Sequence, residues 1–189
     1  MPRQRLTRAE SRERTRLRLL EAAAVSIARK GFAATSVEDI AAQAGYTRGA
    51  FYSNFSSKNE LFVELLRADH TSTQENLQKL LDATSSEDPQ TQLALLFAQC
   101  YRDDDHYIIW TEARLLAMRD TEFRQRVKAL HMERPSMIAH FAERFCECVN
   151  VRLTDSCGQC ALALMTLMDG VGYFNLMPYK LPSALVEGR

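Results

Sequence analysis

The sequence contains little glycine and proline, the residues that tight turns require. Of its 189 residues, 7 are glycine and 5 are proline, about half of their average usage. This scarcity argues against β-sandwiches and barrels, which need a turn after every short strand. Because 46% of the residues are hydrophobic, the composition also argues against a disordered chain. It favours a helical protein with a buried core.

No segment is typical of a signal peptide or of a transmembrane helix. Glu21 interrupts the apolar residues that follow the arginine-rich start, and no cleavage pattern is present. Residues 156–179 carry one charge, Asp169, but too many polar residues and glycines for a lipid-facing helix, so we predict a helix buried in protein. Five cysteines, an odd number, fit reduced thiols. We therefore expect a cytoplasmic protein without membrane contact.

Net charge is also absent, but the two signs are unevenly distributed. The chain has 24 basic and 24 acidic residues. Residues 1–20 contain seven arginines and two glutamates, a net charge of +5, and the remainder therefore sums to −5. A basic terminus on an acidic chain indicates contact with a polyanion. The alternative for the first ten residues is a solvated, disordered arm.

Apolar residues recur at helical spacing, and residues suited to helix caps separate the runs. The stripe at 17–28 ends at Gly31, a natural C-cap. Ser36 and Asp39 form a capping box for a second helix, which stops at Gly45.

Later helices follow the same pattern. Thr47 is predicted to cap a short third helix, and Ser57 with Glu60 to begin a fourth that continues through Leu81. Further helices are expected after a break at 85–89, over 106–118, over 120–150 with a kink at Pro135, and over 154–176. No strand is needed, so the sequence predicts an all-α fold.

The second and third predicted helices have the spacing of a helix-turn-helix. Ala41 and Ala44 allow the two helices to cross closely, and Gly45 supplies the backbone freedom of the turn. We expect Ile40, Phe51 and Phe55 to point inward. Hydrogen-bonding side chains then remain exposed on the short helix and suit base edges and phosphates: Thr47, Arg48, Tyr52 and Asn54. The alternative is an ordinary helical hairpin with polar solvent-facing residues.

Residues 15–66 resemble the DNA-binding domain of the TetR family of transcriptional repressors. The matching features are Gly31-Phe32, Thr35-Ser36-Val37, Ile40-Ala41, Ala44-Gly45, Gly49-x-Phe51-Tyr52-x-x-Phe55 and Lys58-x-Glu60-Leu61. The resemblance implies an N-terminal three-helix DNA-binding domain, residues 1–66 with the basic arm. It also implies a C-terminal helical domain, residues 67–189, for ligand binding and homodimerisation.

The resemblance also implies which residues contact double-stranded DNA. A phosphate would bind at the start of the second helix, where a helix N-terminus favours an anion. The expected set is Thr35, Ser36, Tyr46, Thr47, Arg48, Tyr52, Asn54 and Lys58. Within it, Tyr52 would donate its hydroxyl to a phosphate and Lys58 would form an ion pair with one. Unusual residues for the family at Tyr46, Phe51, Ser53 and Asn54 leave the operator sequence open.

Aromatic and aliphatic residues between 89 and 145 are the candidates for a ligand pocket. The predicted lining is Phe97, Tyr101, Tyr107, Trp110, Arg114, Met118, Met137 and Phe141, which favours a hydrophobic or aromatic small molecule. Trp110, the only tryptophan, is the best single candidate. Glu112, His131 and His140 could orient a polar group. For each aromatic residue the alternative is core packing.

The last predicted helix is apolar on more than one face, which indicates a subunit interface. Cys160, Leu164, Met168 and Val171 are expected there. A two-fold dimer places two recognition helices about one DNA turn apart and needs a palindromic operator. The alternative is a helix at the centre of a monomeric bundle.

The cysteines suggest one alternative mode of regulation. Cys146, Cys148, Cys157 and Cys160 could sense thiols or a metal in the same fold. Their helical positions favour packing, so we predict no metal.

Motifs typical of enzymes are absent. Because the phosphate loop, HExxH and GxSxG are missing, we predict no enzyme and no cofactor. The prediction is a repressor that a small molecule releases from DNA; a helical adaptor or enzyme is a remote alternative.

Overall fold

The computed structural model describes residues 7–83, 104–148, 166 and 170. Six helices lie in these ranges: α1 (Arg8–Lys30), α2 (Val37–Gln43), α3 (Arg48–Tyr52), α4 (Lys58–Ala83), α5 (Asp104–Arg119) and α6 (Thr121–Cys148). The described ranges contain no strand, which confirms the predicted all-α class. Within them, no helix is long and apolar enough to cross a membrane.

Helix α1 begins well before the apolar stripe, at Arg8. The Thr7 hydroxyl accepts from the Glu10 backbone N–H at 3.2 Å, and the Glu10 carboxylate accepts from the Thr7 N–H at 2.7 Å. This capping box was not predicted from the sequence. Because the helix starts so early, five of the seven N-terminal arginines lie on it. The alternative of a disordered arm is therefore wrong for residues 7–10.

The predicted starts of α2 and α3 are confirmed. Ser36 caps α2 in a capping box with Asp39, and the Thr47 hydroxyl accepts from the Ala50 N–H at 3.3 Å to cap α3. The capping box predicted for α4 is only half present. The Ser57 hydroxyl accepts from the Glu60 N–H at 3.1 Å, but the Glu60 carboxylate accepts from the Ser56 N–H, at 2.6 Å.

Two glycines take positive φ, and Gly31 is the more constrained. Gly31 caps α1 with φ +82° and ψ 160°, as its sequence position predicted, and Gly45 lies in the α2–α3 turn with φ +76°. A Cβ at Gly31 would lie 3.1 Å from Glu112 Oε1, whereas a Cβ at Gly45 would meet nothing within 4 Å.

We expect Gly31→Ala to lower the free energy of unfolding by about 1–3 kcal/mol, because the φ and ψ angles of Gly31 lie in a region almost restricted to glycine. The matched variant Gly45→Ala should lower the free energy of unfolding by less, about 1 kcal/mol, because its only unfavourable feature is one alanine with a left-handed backbone. Urea unfolding of both variants tests this order. An equal or smaller loss at Gly31 would contradict it.

The chain divides into two compact units. The first contains Met1–Glu75 and Ile108–Glu133, and the second contains Asn76–Tyr107 and Arg134–Arg189. The first unit is larger than the predicted domain 1–66, because α4 continues without a break and residues of α5 and α6 join the same core. In the second unit the described residues are helical, and α6 continues through Pro135.

Three stacked aromatic rings form the centre of the first unit. The Phe32 and Phe62 ring centroids are 4.7 Å apart, and those of Phe62 and Phe123 are 5.5 Å apart. These rings come from the α1–α2 loop, α4 and α6, so they attach the helix-turn-helix to the longer helices. Ile40, Phe51 and Phe55 are buried, as predicted.

Candidate nucleic-acid interface

Helix α3 presents an arginine and a tyrosine to solvent from a buried aromatic anchor. Phe51 is fully buried, and its ring makes an edge contact with Tyr52 at a centroid distance of 5.3 Å. Tyr52 is 48% exposed. The Arg48 guanidinium lies 5.5 Å from the centroid of the Tyr52 ring. The two polar groups therefore project side by side, one helical turn apart.

Arg48 is available for a partner despite one ion pair. Its Nη1 lies 2.7 Å from Glu38 Oε1, and both side chains are more than half exposed. Exposed ion pairs of this kind contribute little free energy, because water and salt screen them. The planar guanidinium fork matches the acceptor edge of guanine and the oxygens of phosphate.

Tyr46 lies beside α1. Its backbone N–H donates to Ala41 O at 2.8 Å, which closes the turn between α2 and α3. The Thr15 hydroxyl beside the phenol, together with the charges of Arg18 and Arg14, holds the pKa of Tyr46 below its usual value. The structure therefore brings two arginines of α1 to the edge of the helix-turn-helix.

The start of α2 differs from the predicted phosphate site. Thr35 is 1% exposed and its hydroxyl donates to Gly31 O at 2.8 Å, so a phosphate contact through this hydroxyl does not fit its burial. Ser36 donates its hydroxyl and its N–H to Asp39 Oδ2, at 2.6 and 2.9 Å. Lys30 Nζ lies 2.6 Å from the same oxygen. Bonds from Lys30 and Ser36 hold the pKa of Asp39 far below its usual value, so a charged carboxylate already occupies this helix start.

Lys58 binds the loop between α1 and α2. Its ammonium donates to Phe32 O at 2.8 Å and to Thr35 O at 2.7 Å, and it lies 4.2 Å from the centroid of the Phe32 ring. Burial lowers the pKa of Lys58. In this geometry Lys58 stabilises the loop, and the predicted ion pair with phosphate stays a prediction.

Asn54 is turned away from the exposed face on which it was predicted. The side chain is half-buried, and its Nδ2 donates to Ala50 O at 2.8 Å. Its Oδ1 is buried without a hydrogen-bond partner in the part of the chain that the structure describes. Thr47, in contrast, is exposed at the start of α3.

Of the predicted ligand-binding residues, Trp110 lies in the core of the first unit. It is 4% exposed, and its indole N–H donates to Asp69 Oδ2 at 2.6 Å. Met118 is 77% exposed on α5, so its side chain does not lie in an enclosed pocket in this geometry, and its predicted ligand contact stays a prediction. It points outward because Ala113 and Ala117 occupy the buried side of the helix. Arg114 is half-buried and donates to Thr111 Oγ1 at 3.1 Å.

Glu112, predicted to orient a ligand, instead contacts the helix-turn-helix. Its Oε2 accepts from the Phe32 backbone N–H at 3.0 Å, across 80 residues of sequence. A second long-range bond joins Asn59 Nδ2 to Asp120 Oδ2 at 3.3 Å. Helix α5 and the residue that precedes α6 are thus bonded to residues on either side of the helix-turn-helix.

Of the remaining predicted residues, the structure describes Tyr107 and leaves the others partly or wholly undescribed. Tyr107 is half-buried on α5. Met137, Phe141, Cys146 and Cys148 lie on α6, but their side chains are outside the described set. Phe97, Tyr101 and the following residues lie outside the described ranges: Cys157, Cys160, Leu164, Met168 and Val171. Among the described residues, no three His, Cys, Asp or Glu side chains are grouped to hold a metal ion.

Residues 19–65 match the family model described as bacterial regulatory proteins, tetR family. The HTH-type transcriptional regulator TtgR of Pseudomonas putida is 35% identical over 99 residues, 52% of this chain and 46% of TtgR. The probable acrEF/envCD operon repressor of Escherichia coli is 39% identical over 87 residues, 46% of this chain and 39% of that protein. The matched region thus spans less than half of each relative.

Solved structures are similar over most of the chain. FadR of Bacillus subtilis in complex with stearoyl-CoA has a TM-score of 0.68 at 18% identity, over 86% of this chain and 89% of FadR. A protein of Saccharomonospora viridis, solved in complex with choline, has a TM-score of 0.64 at 21% identity, over 87% of this chain and 86% of that one. At these identities the likeness shows the fold, a helix-turn-helix domain followed by a helical C-terminal domain.

Proposed function

We propose that this chain, whose N-terminal domain belongs to the TetR family of bacterial regulatory proteins, regulates transcription by binding duplex DNA through α3. The observation that carries the proposal is the exposed pair of Arg48 and Tyr52 on the buried anchor Phe51. A recognition helix needs this combination, because a fixed backbone sets the register while polar groups reach bases and phosphates.

Each exposed group of α3 has a role in this proposal. Arg48 reads a base edge in the major groove, where its fork matches guanine O6 and N7. Tyr52 donates its hydroxyl to a backbone phosphate, which positions the helix and carries no sequence information. Thr47 lies at the helix start beside Arg48 and contacts the DNA strand whose base Arg48 reads.

We further propose that the protein is a homodimeric repressor released by a hydrophobic or aromatic small molecule. The curated relatives include an operon repressor, and two structural neighbours were solved with stearoyl-CoA and with choline. Those ligands belong to those proteins. For this chain, the ligand class rests on the predicted lining between residues 89 and 145, and the dimer on Cys160, Leu164, Met168 and Val171.

The Phe32 loop supports the proposed coupling between the long helices and the helix-turn-helix. The Phe32 backbone N–H donates to Glu112 of α5, and the Phe32 carbonyl accepts from Lys58 of α4. The Phe32 ring stacks on the ring of Phe62. A shift of α4 or α5 therefore moves the segment that leads into α2. A coupling free energy of about 1–3 kcal/mol would be enough to change operator affinity measurably.

Selection from a randomised duplex library tests the proposed function. The purified protein should enrich a two-fold symmetric sequence whose half-sites lie about one helical turn, or ~10 base pairs, apart. Arg48→Ala should enrich a less restricted set. Absence of enrichment by the wild-type protein would contradict sequence-specific regulation. Enrichment of an asymmetric single site would contradict the two-fold dimer.

A further inference from the structure

The first half of α1 carries four exposed arginines, Arg8, Arg12, Arg14 and Arg18, which we call the arginine edge. A residue on an α-helix is rotated by about 100° from the previous one. By this count, Arg8, Arg12 and Arg18 lie at least about 60° around the helix from Glu10, Glu13 and Glu21, whereas Arg14 lies within about 40° of Glu10 and Glu21. The part of the helix surface that is free of these glutamates therefore carries Arg8, Arg12 and Arg18, and Arg14 borders it.

The arginine edge lies beside both ends of α3. Arg12 Nη2 is 3.4 Å from Ser53 O, immediately after the last residue of α3. Arg14 and Arg18 act on the phenol of Tyr46, two residues before α3 begins. The bond made by Arg12 is long and weak, so its guanidinium can take a stronger acceptor.

Arg16, on the same helix, differs from the arginine edge because its guanidinium contacts other residues of the fold. Its Nη2 lies 2.8 Å from Glu64 Oε2, its Nη1 donates to Asn54 O at 3.3 Å, and its guanidinium lies 4.5 Å from the centroid of the Phe55 ring. In the described ranges, no carboxylate forms an ion pair with any member of the arginine edge. Their side chains are thus exposed at this surface and can bind an anion.

We propose that the arginine edge binds backbone phosphates of duplex DNA on either side of the bases that α3 contacts. This inference rests on the proposed function. From Arg8 to Arg18 the edge spans about 15 Å along the helix axis, comparable with the ~12 Å width of the major groove. A rigid helix with arginines at both ends of α3 therefore meets phosphates of the strands that border the groove. DNA is favoured as the occupant because the edge reaches Ser53 and Tyr46, the residues that flank the proposed recognition helix α3.

The test measures how DNA affinity depends on salt in Arg12→Ala and Arg14→Ala, with a random-sequence duplex as the probe. Each lost phosphate contact should reduce the slope of log affinity against log salt by about 0.9. Alanine keeps the helix intact, because it has the highest helix propensity. Lys128→Ala is the charge-matched control, since Lys128 is exposed on α6, and it should leave the slope unchanged. Arg12→Lys should restore most of the slope.

The outcomes separate this inference from the proposed function. Wild-type slopes in both arginine variants, with discrimination between the selected and the random duplex lost in Arg48→Ala, would overturn the arginine edge and leave the proposed function standing. An equal loss of slope in Lys128→Ala would also overturn it, because the effect would then be one of net charge. Failure of the wild-type protein to bind duplex DNA at low salt would overturn both. Reduced slopes confined to Arg12→Ala and Arg14→Ala would support the inference.

Discussion

Phe62→Ala is expected to lower the free energy of unfolding by about 3–5 kcal/mol, the usual cost of removing a buried phenyl ring. Phe62 is completely buried and lies between the rings of Phe32 and Phe123. Its loss leaves a cavity where the α1–α2 loop, α4 and α6 meet. Since a whole domain is stable by only about 5–15 kcal/mol, the variant should unfold at a much lower urea concentration.

The control for this prediction is Leu17→Ala, which also shortens an apolar side chain. Leu17 is 51% exposed on α1, so its truncation should change stability by no more than about 0.5 kcal/mol. Urea unfolding followed by circular dichroism compares the two variants. If Phe62→Ala lost less than about 1 kcal/mol, the ring stack would not be the centre of this core.

Arg48→Ala is expected to remove most discrimination between the selected operator and other duplexes. A bidentate contact with a base contributes about 1–3 kcal/mol of discrimination, or roughly 5- to 150-fold in affinity. Binding to a random-sequence duplex should fall much less, because phosphate contacts elsewhere remain. Competition between the selected duplex and a random duplex measures the ratio directly.

Glu38→Ala is the matched variant for Arg48. It removes the carboxylate that lies 2.7 Å from the Arg48 guanidinium and one negative charge from the proposed DNA-facing surface. Operator affinity should therefore stay the same or rise. Unchanged discrimination in Arg48→Ala would show that another residue reads the operator. A loss in Glu38→Ala as large as that in Arg48→Ala would show that the ion pair matters for structure.

Features that depend on near neighbours could be predicted from the sequence. The caps at Ser36 and Thr47 and the C-cap at Gly31 are local, because each involves residues within four positions along the chain. The inward direction of Ile40 and Phe51 also followed from helical spacing and was confirmed. The exposed face of α3 could be inferred for the same reason.

Features that depend on distant packing could not be predicted. Glu112 bonds to Phe32 and Asn59 bonds to Asp120, and no local pattern relates partners so far apart in sequence. The burial of Thr35 and the turn of Asn54 toward its own helix likewise depend on which faces pack together. Trp110 was predicted at a ligand, whereas the structure places it in a core that α4 and α5 share.

Affinity of the wild-type protein for duplex DNA across a range of salt concentrations tests the central claim most directly. Fluorescence anisotropy of a labelled duplex gives the affinity at each concentration. For about four phosphate contacts, affinity should fall linearly on a log–log plot, by ~100-fold between 50 and 200 mM salt. Absence of binding at 50 mM salt, or an affinity that does not change with salt, would contradict DNA binding through this helix-turn-helix.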